Sequence, residues 1–388
     1  MRAGEGRGEA LVLLLLALET RAARLQGAFA ADPELGHAWR AQTALAEVTR
    51  SVTLEDIHVF EGDVVRHHTE NRATTAEVAR GTQAASDLLR VVSAPGDLYA
   101  DPEAVLGRCW RAAVTIQRES DIDDSPDLAG IAAAIGGGGA AVTPFLGALR
   151  AACLFRLGTM GRAPSAERLV FLAADHALRG AGEGRARYDA GLDGMLRRIE
   201  ATWILTPSLA LTQGRFRPWS PVSAAGMQDL AEGLLAELDR SVGMLPVLRR
   251  WRDGMRAAAG ARHGKSRLRD LVELALSEPI LTSGHVRDRL GVSPRAALYL
   301  MQEAEEIGLL ALITPRRTYR VWAVPTLAER LRQRAGGIGA PRTAEAPPEV
   351  GATSLADLAP GAPVSEAMAE LDAALAQADR VLERYRRE

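Results

Sequence analysis

Cysteine is nearly absent from this sequence, since Cys109 and Cys153 are the only two among 388 residues. Each lies among apolar residues, and neither belongs to a CxxC or Cys/His spacing. The pattern argues against a disulfide framework and a zinc site, and it is typical of the reducing cytoplasm. His58, His67 and His68 likewise match no known metal-site spacing. We therefore expect no metal, no cofactor and a cytoplasmic location.

Aromatic residues and lysine are also scarce. Aromatics make up 4% of the sequence, and Lys265 is the only lysine. Ala and Leu dominate instead, and both favour helices, whereas the aromatic and β-branched residues preferred in strands are sparse. The formal net charge of −2 means that any contact with nucleic acid must be local. The length allows two or three domains, and we predict a mostly α fold.

Long hydrophobic runs are missing as well. The apolar run Ala10–Leu18 is too short to span a bilayer, so we expect no membrane contact. A secretion signal is the alternative interpretation, because basic residues precede the run and small residues follow it. However, acidic residues lie in the would-be basic region, and Glu19 ends the run at once. The spacing of Leu25 and Phe29 continues a helix, so we predict a buried helix here.

The chain divides into four parts by composition. Residues 1–260 are predicted to form a multi-helical body, with helices separated by Gly and Pro breaks. Residues 336–363 are rich in Gly, Pro and Ala and predict a flexible linker. Residues 364–387 carry apolar residues at alternating steps of four and three, which is a heptad pattern. This stripe predicts either a short coiled coil in a homodimer or a helix that packs on the body. The helices predicted in the body span 9–30, 35–51, 74–92, 101–118, 127–135, 143–157, 165–178, 188–203 and 224–240.

Residues 262–325 have the pattern of a helix-turn-helix. An amphipathic helix over 268–276 is followed by a second short helix that Ser283 is predicted to cap. Gly291–Ser293 makes a tight turn, and Ser293 with Pro294 begins a third helix that extends to residue 307. Its buried side is predicted to consist of Ala297, Leu300, Met301, Ala304 and Ile307.

The opposite side of this third helix presents Arg295, Tyr299, Gln302 and Glu306. A recognition helix needs such an arrangement, with long polar side chains facing the major groove of double-stranded DNA. Arg295 suits a bidentate contact with guanine, and Gln302 suits adenine. Ser293 and the helix N-terminus are predicted to hold a phosphate. We also place Ser283 and Tyr299 among the predicted DNA-binding residues.

Two short apolar segments after this helix, 309–313 and 318–324, predict a β-hairpin of the kind that forms the wing of a winged helix-turn-helix. Its basic tip, residues 314–320, contains Arg316, Arg317 and Arg320, which suit contacts with phosphates or the minor groove. Residues 262–324 contain ten Lys or Arg and seven Asp or Glu, a balance of +3. Glu303, Glu305 and Glu306 would repel phosphate, so we expect the N-terminal half of the helix to touch DNA.

The stretch "LSEPILTSGHVRDRLGVSPRAALYLMQEAEEIGLL", with the later "RTYRVWAV", resembles the C-terminal winged helix of a family of uncharacterised bacterial proteins. In that family the winged helix follows a helical domain with a degenerate Fic-like fold. The segments "SVTLEDIHVFEGDVV" and "TTAEVARGTQAASDLLR" resemble the family's N-terminal region. The similar segments together cover about a fifth of the chain.

Active Fic enzymes transfer AMP to protein hydroxyls and carry the motif His-Pro-Phe-x-x-Gly-Asn-Gly-Arg. The nearest segment here is "TPFLGALR", in which Pro144 and Phe145 match but Thr143 replaces the histidine base and the Gly-Asn-Gly turn is missing. Threonine does not accept a proton near neutral pH as histidine does. The resemblance therefore implies an inactive Fic-like domain. The alternative interpretation is a core helix with a proline near its start.

These observations favour a DNA-binding protein without catalytic residues, acting as a transcriptional regulator. Two alternatives stay open: a Fic-type AMP transferase, which predicts nucleotide binding, and a protein-interaction module, which predicts no affinity for DNA in low salt.

Overall fold

The structure is a computed structural model, and it describes residues 2–70, 75–114, 116, 126–137, 143–180, 201–262, 266–314 and 320–332. The predicted linker and the predicted heptad helix lie outside these residues. The described part is mostly helical, as predicted. The helices of the body are α1 Arg2–Ala31, α2 Pro33–Thr53, α3 Glu61–Glu70, α4 Ala76–Ser93, α5 Pro102–Val114, α6 Leu128–Gly136, α7 Pro144–Gly158, α8 Pro164–Arg179, α9 Pro207–Thr212 and α10 Ala224–Gly260.

The remaining elements form the helix-turn-helix region and a small antiparallel sheet. The strand order is β1-β3-β2, and Trp322 of the middle strand pairs with Leu281 on one side and Leu312 on the other. The first strand escaped the sequence prediction because it is only three residues long. These elements are α11 Leu268–Ser277, β1 Ile280–Thr282, α12 Ser283–Leu290, α13 Pro294–Glu306, β2 Ala311–Leu312, β3 Val321–Ala323 and α14 Pro325–Arg332.

A buried segment without regular secondary structure, residues 201–206, lies in the core of the body. Its peptide N–H groups need acceptors, and the Asp175 carboxylate accepts from Ile204 at 2.7 Å and Leu205 at 2.9 Å. His176 Nδ1 accepts from the Thr202 N–H at 2.9 Å. The prediction of a helix over 188–203 is therefore wrong for residues 201–203, because α8 supplies the hydrogen bonds that a helix would otherwise make internally. Residues 188–200 lie outside the described part.

Glu47 makes a second buried contact of this kind. Its two carboxylate oxygens accept from the N–H groups of Ser208 at 2.8 Å and Leu209 at 2.9 Å, at the start of α9. Burial raises the pKa of Glu47 despite these hydrogen bonds. The central helix α2 thus holds the short helix α9, which sequence periodicity did not predict.

The longest helix, α10, continues to Gly260 instead of ending near residue 240. Pro246 lies inside it, yet the helix is maintained because Leu245 and Leu248 are buried against the core on the same side. The predicted boundary at residue 261 falls between α10 and α11, and the domain division stays a prediction.

The N-terminal apolar run forms part of α1, as predicted, but it is only partly buried. Leu18 and Leu25 lie in the core, whereas Val12, Leu13 and Leu16 are 55%, 61% and 61% exposed. The expectation of a buried helix is therefore wrong for most of the run, of which Leu18 alone is fully buried. Among the described residues, no helix is long and apolar enough to cross a membrane.

Polar contacts join the helix-turn-helix region to the body. Arg256 of α10 donates from Nε and Nη2 to the two carboxylate oxygens of Glu273 on α11, at 2.8 and 2.6 Å. Also on α10, the indole N–H of Trp251 donates to the carbonyl oxygen of Leu309 at 3.3 Å, just after α13. On the other side, Thr326 of α14 donates to the Gln42 side chain at 2.9 Å. These elements pack as one compact unit within residues 1–337.

Candidate nucleic-acid interface

The turn between α12 and α13 has the predicted conformation. Gly291 caps α12 with φ 63° and ψ 35°, in the left-handed region that favours glycine. At the other end of α12, the cap is Thr282 rather than Ser283, because the Thr282 hydroxyl accepts from the N–H of His285 at 3.1 Å. Thr282 is extended, whereas Ser283 is already helical. Ser283 remains at the first turn of α12.

The start of α13 also follows the prediction. Ser293 is extended, and its hydroxyl accepts from the N–H of Ala296 at 3.2 Å, while Pro294 occupies the first turn. The side of α13 that was predicted to face the core does so: Ala297, Leu300, Met301 and Ala304 are buried, and Ile307 is partly buried. The serine and proline therefore set the beginning of the helix, and its apolar side sets its rotation against the core.

The opposite side of α13 presents the recognition stripe, which we define as Arg295, Tyr299, Gln302 and Glu306. Arg295, Tyr299 and Glu306 are exposed and Gln302 is half-buried. Arg295 Nη2 donates to the Tyr299 hydroxyl at 3.1 Å, and its guanidinium carbon lies 5.5 Å from the Tyr299 ring centroid. Tyr299 therefore holds the long arginine side chain along the helix surface by a hydrogen bond and a cation–π contact.

Two of the three acidic residues expected to repel phosphate are engaged by the protein itself. Arg262 pairs with Glu303 at 3.3 Å, and the indole N–H of Trp322 donates to Glu305 at 2.9 Å. Successive residues of a helix turn by about 100°, which places Glu303 and Glu305 about 80° to either side of the recognition stripe. The stripe is thus bordered by the end of α10 on one flank and by strand β3 on the other.

The hairpin that follows α13 is present, with strands shorter than predicted. Ile313 N–H donates to the Val321 carbonyl at 2.8 Å, and Val321 N–H donates to the Thr314 hydroxyl at 3.0 Å. Arg320 is half-buried at its base. Arg316 and Arg317 lie outside the described residues.

A buried carboxylate under α12 was not anticipated from the sequence. Glu278 is 2% exposed, and it contacts the His285 imidazole and Arg289, the latter at 3.0 Å. Both partners are on α12, so this pairing connects the end of α11 to the first two turns of α12. In the sequence, nothing about a glutamate just before Pro279 indicates that Glu278 connects α11 to α12.

The segment that resembles the Fic motif begins a core helix. Thr143 caps α7 by accepting from the N–H of Leu146 at 3.3 Å, and Phe145 is completely buried. The N–H of Phe145 donates to Glu19 at 2.7 Å. These contacts match the alternative interpretation of the segment, and the Fic-like resemblance stays a prediction.

His67 and His68, two of the histidines considered for a metal site, lie next to each other on α3. His68 Nε2 lies 2.9 Å from the Ser86 hydroxyl, and the rings of His67 and His68 are 5.9 Å apart. Burial, with the nearby His67 and Arg90, lowers the pKa of His68 to about 4. No group of three or more potential metal ligands comes together among the described residues.

The comparison with protein families agrees with the geometry of α11 to β3. Residues 268–324 match the family model of an HTH DNA-binding domain. The chain therefore carries a helix-turn-helix DNA-binding domain, in which α13 is the helix that follows the turn. The match does not extend into the body. No curated protein matches the chain.

Proposed function

We propose that this protein is a sequence-specific DNA-binding regulator of transcription. The observation that carries the proposal is the recognition stripe on α13 within the DNA-binding domain, of which Arg295, Tyr299 and Glu306 are exposed and Gln302 is half-buried. We assign no catalytic step to the chain. Its action is binding, and its specificity depends on which bases α13 meets.

In this mechanism α13 enters the major groove with its N-terminal end, and its base contacts extend along the helix to Gln302. Arg295 makes a bidentate contact with guanine, and Gln302 contacts adenine. Seven residues separate the two, about 10 Å along a helix, which corresponds to about three base-pair steps. Ser293 and Ser283, each at the start of a helix, contact phosphates that flank the groove.

The hairpin is proposed to act as a wing. Arg320 lies at its base, and Arg316 and Arg317 belong to its predicted tip. Together they would contact phosphates or the minor groove. Homodimerisation through residues 364–387 would pair two recognition helices on a two-fold symmetric site. Packing of that segment on the body would instead leave a monomer.

The test is a titration of the full chain against DNA that flanks its own gene and against a scrambled duplex of equal length. We expect tighter binding to one flanking site, with an affinity that falls as salt rises. The Arg295→Ala substitution should weaken specific binding by about 1–3 kcal/mol and reduce the preference over scrambled DNA. Adding Arg316→Ala and Arg317→Ala should weaken binding to both duplexes.

Arg80→Ala is the matched control, because Arg80 is an exposed arginine on α4. It should leave both affinities unchanged. Unchanged affinity in the triple variant would contradict the assigned interface. An absence of DNA binding even in low salt would contradict the proposed function and would indicate a protein-docking module.

A further inference from the structure

One flank of the recognition stripe is formed by the connection between α10 and α11. Arg262, just after α10, pairs with Glu303 in the second half of α13 at 3.3 Å. Arg267, just before α11, donates from Nη2 to the carbonyl oxygen of Leu290 at 2.7 Å. Leu290 is the last residue of α12 and immediately precedes the turn, so Arg267 lies near the turn that leads into α13, whereas Arg262 lies beside the second half of α13.

The charge of this connection differs from that of the whole chain. Residues 262–269 contain four Lys or Arg and no Asp or Glu, although the formal net charge of the chain is −2. The side chains of Arg262 and Arg267 are 49% and 53% exposed. Asp270 also lies 3.1 Å from Arg267 Nη1. A guanidinium has five N–H donors, so these contacts hold each side chain while donors remain for another acceptor.

The other flank is formed by strand β3, and the basic residue Arg320 immediately precedes this strand. The positions of Glu303 and Glu305 on α13 place the two flanks on opposite sides of the stripe. A helix that enters the major groove lies between two phosphate backbones, one along each side of the groove. A positive group on each flank therefore faces one backbone.

We propose that Arg262 and Arg267 form a second phosphate-contacting surface, which binds the DNA backbone on the side of α13 away from the hairpin. This inference rests on the proposed function. It adds that two arginines between the body's long helix and α11 take part in binding, so that DNA is held between Arg262 and Arg267 on one side of α13 and the β3 side on the other. The contacts are with phosphate, and they contribute affinity without sequence preference.

The first test uses Arg267→Gln in the full chain. Its binding to the duplex from beside its own gene and to the scrambled duplex is measured at about 50 to 200 mM salt. Loss of one phosphate contact should reduce the slope of log affinity against log salt by about 0.9. Affinity should fall by the same factor for both duplexes, roughly tenfold in low salt. Arg267→Lys should restore the slope, since lysine also pairs with phosphate, and Arg80→Gln is the control of equal charge.

Arg262 needs a paired design because it also neutralises Glu303. The double variant Arg262→Gln with Glu303→Gln removes both charges and leaves the net charge unchanged. If Arg262 binds phosphate, the slope of log affinity against log salt should decrease in the double variant by the same amount as in Arg267→Gln. If Arg262 only compensates Glu303, the double variant should bind as the wild type.

The outcomes separate this inference from the proposed function. Suppose that the wild type binds DNA and that Arg267→Gln and the double variant show the same slope as the wild type. This result would overturn the second surface and leave DNA binding intact. A loss confined to the flanking duplex would also overturn it, because phosphate contacts do not distinguish sequences. Absence of any wild-type binding would remove both proposals.

Discussion

Replacement of Gly291 by alanine should destabilise the protein by about 1 kcal/mol. Gly291 has φ 63° between α12 and α13, where an L-residue with a Cβ costs roughly 1–2 kcal/mol. A Cβ built on Gly291 meets no atom within 4 Å, so backbone strain is the whole expected effect. Alanine also lowers the conformational entropy of the unfolded chain, so less entropy is lost on folding, and this offsets part of the strain. Urea unfolding followed by circular dichroism measures the difference.

Gly254 provides the matched control for this substitution. It lies within α10, and a Cβ there also meets nothing within 4 Å, but its backbone is helical. Gly254→Ala should therefore stabilise the protein by about 0.5–1 kcal/mol, the opposite sign from Gly291→Ala. If both substitutions stabilise equally with unchanged m-values, Gly291 is not left-handed in solution and the turn before α13 differs from the one described.

Two further predictions follow from contacts outside the turn. Tyr299→Phe removes the hydroxyl that accepts from Arg295 but keeps the ring beneath the guanidinium, so specific DNA affinity should fall by about 0.5–1.5 kcal/mol. A fluorescence titration measures this, and no change would mean that the ring alone positions the arginine. Burial lowers the pKa of His176 to about 4 from an ordinary value of 6.5, which makes stability depend on pH. The neutral ring accepts from Thr202 in the fold, so this stability is present above pH 6.5 and is lost as pH falls towards 4, by about 3 kcal/mol at most. His176→Asn keeps an acceptor that does not titrate, so urea midpoints between pH 7 and pH 4 should fall less in this variant. If the urea midpoints of the wild type and of His176→Asn fall by the same amount, other groups dominate the pH dependence of stability.

The DNA-binding region was predictable because its signals are local. The glycine of the turn, the Ser293-Pro294 start of α13 and the helical spacing of apolar residues all act within a few positions of one another. Local signals of this kind determine where a helix begins, where it ends and which side is buried. The recognition stripe follows directly, because it is the side that the apolar pattern leaves exposed.

The cap of α12 and the non-helical segment of the body show where local signals are insufficient. Thr282 and Ser283 are both suitable caps by type, and the pairing of β1 with β3 makes Thr282 the extended one. Residues 201–206 are not helical, because acceptors on α8, distant in the sequence, bind the N–H groups of Thr202, Ile204 and Leu205. Hydrogen bonds between distant segments override helix propensity, and no window of the sequence contains both partners.

By itself, the sequence determined a mostly helical chain with a helix-turn-helix near its C-terminus, together with the residues of the recognition stripe. Only the tertiary structure decided what borders that stripe. Arg262 and Glu303 are 41 positions apart, and Glu305 and Trp322 are 17 apart; folding makes each pair a contact. The tertiary structure likewise decided that Leu13 and Leu16 are exposed, because burial depends on which elements pack against a helix and not on its own apolar pattern.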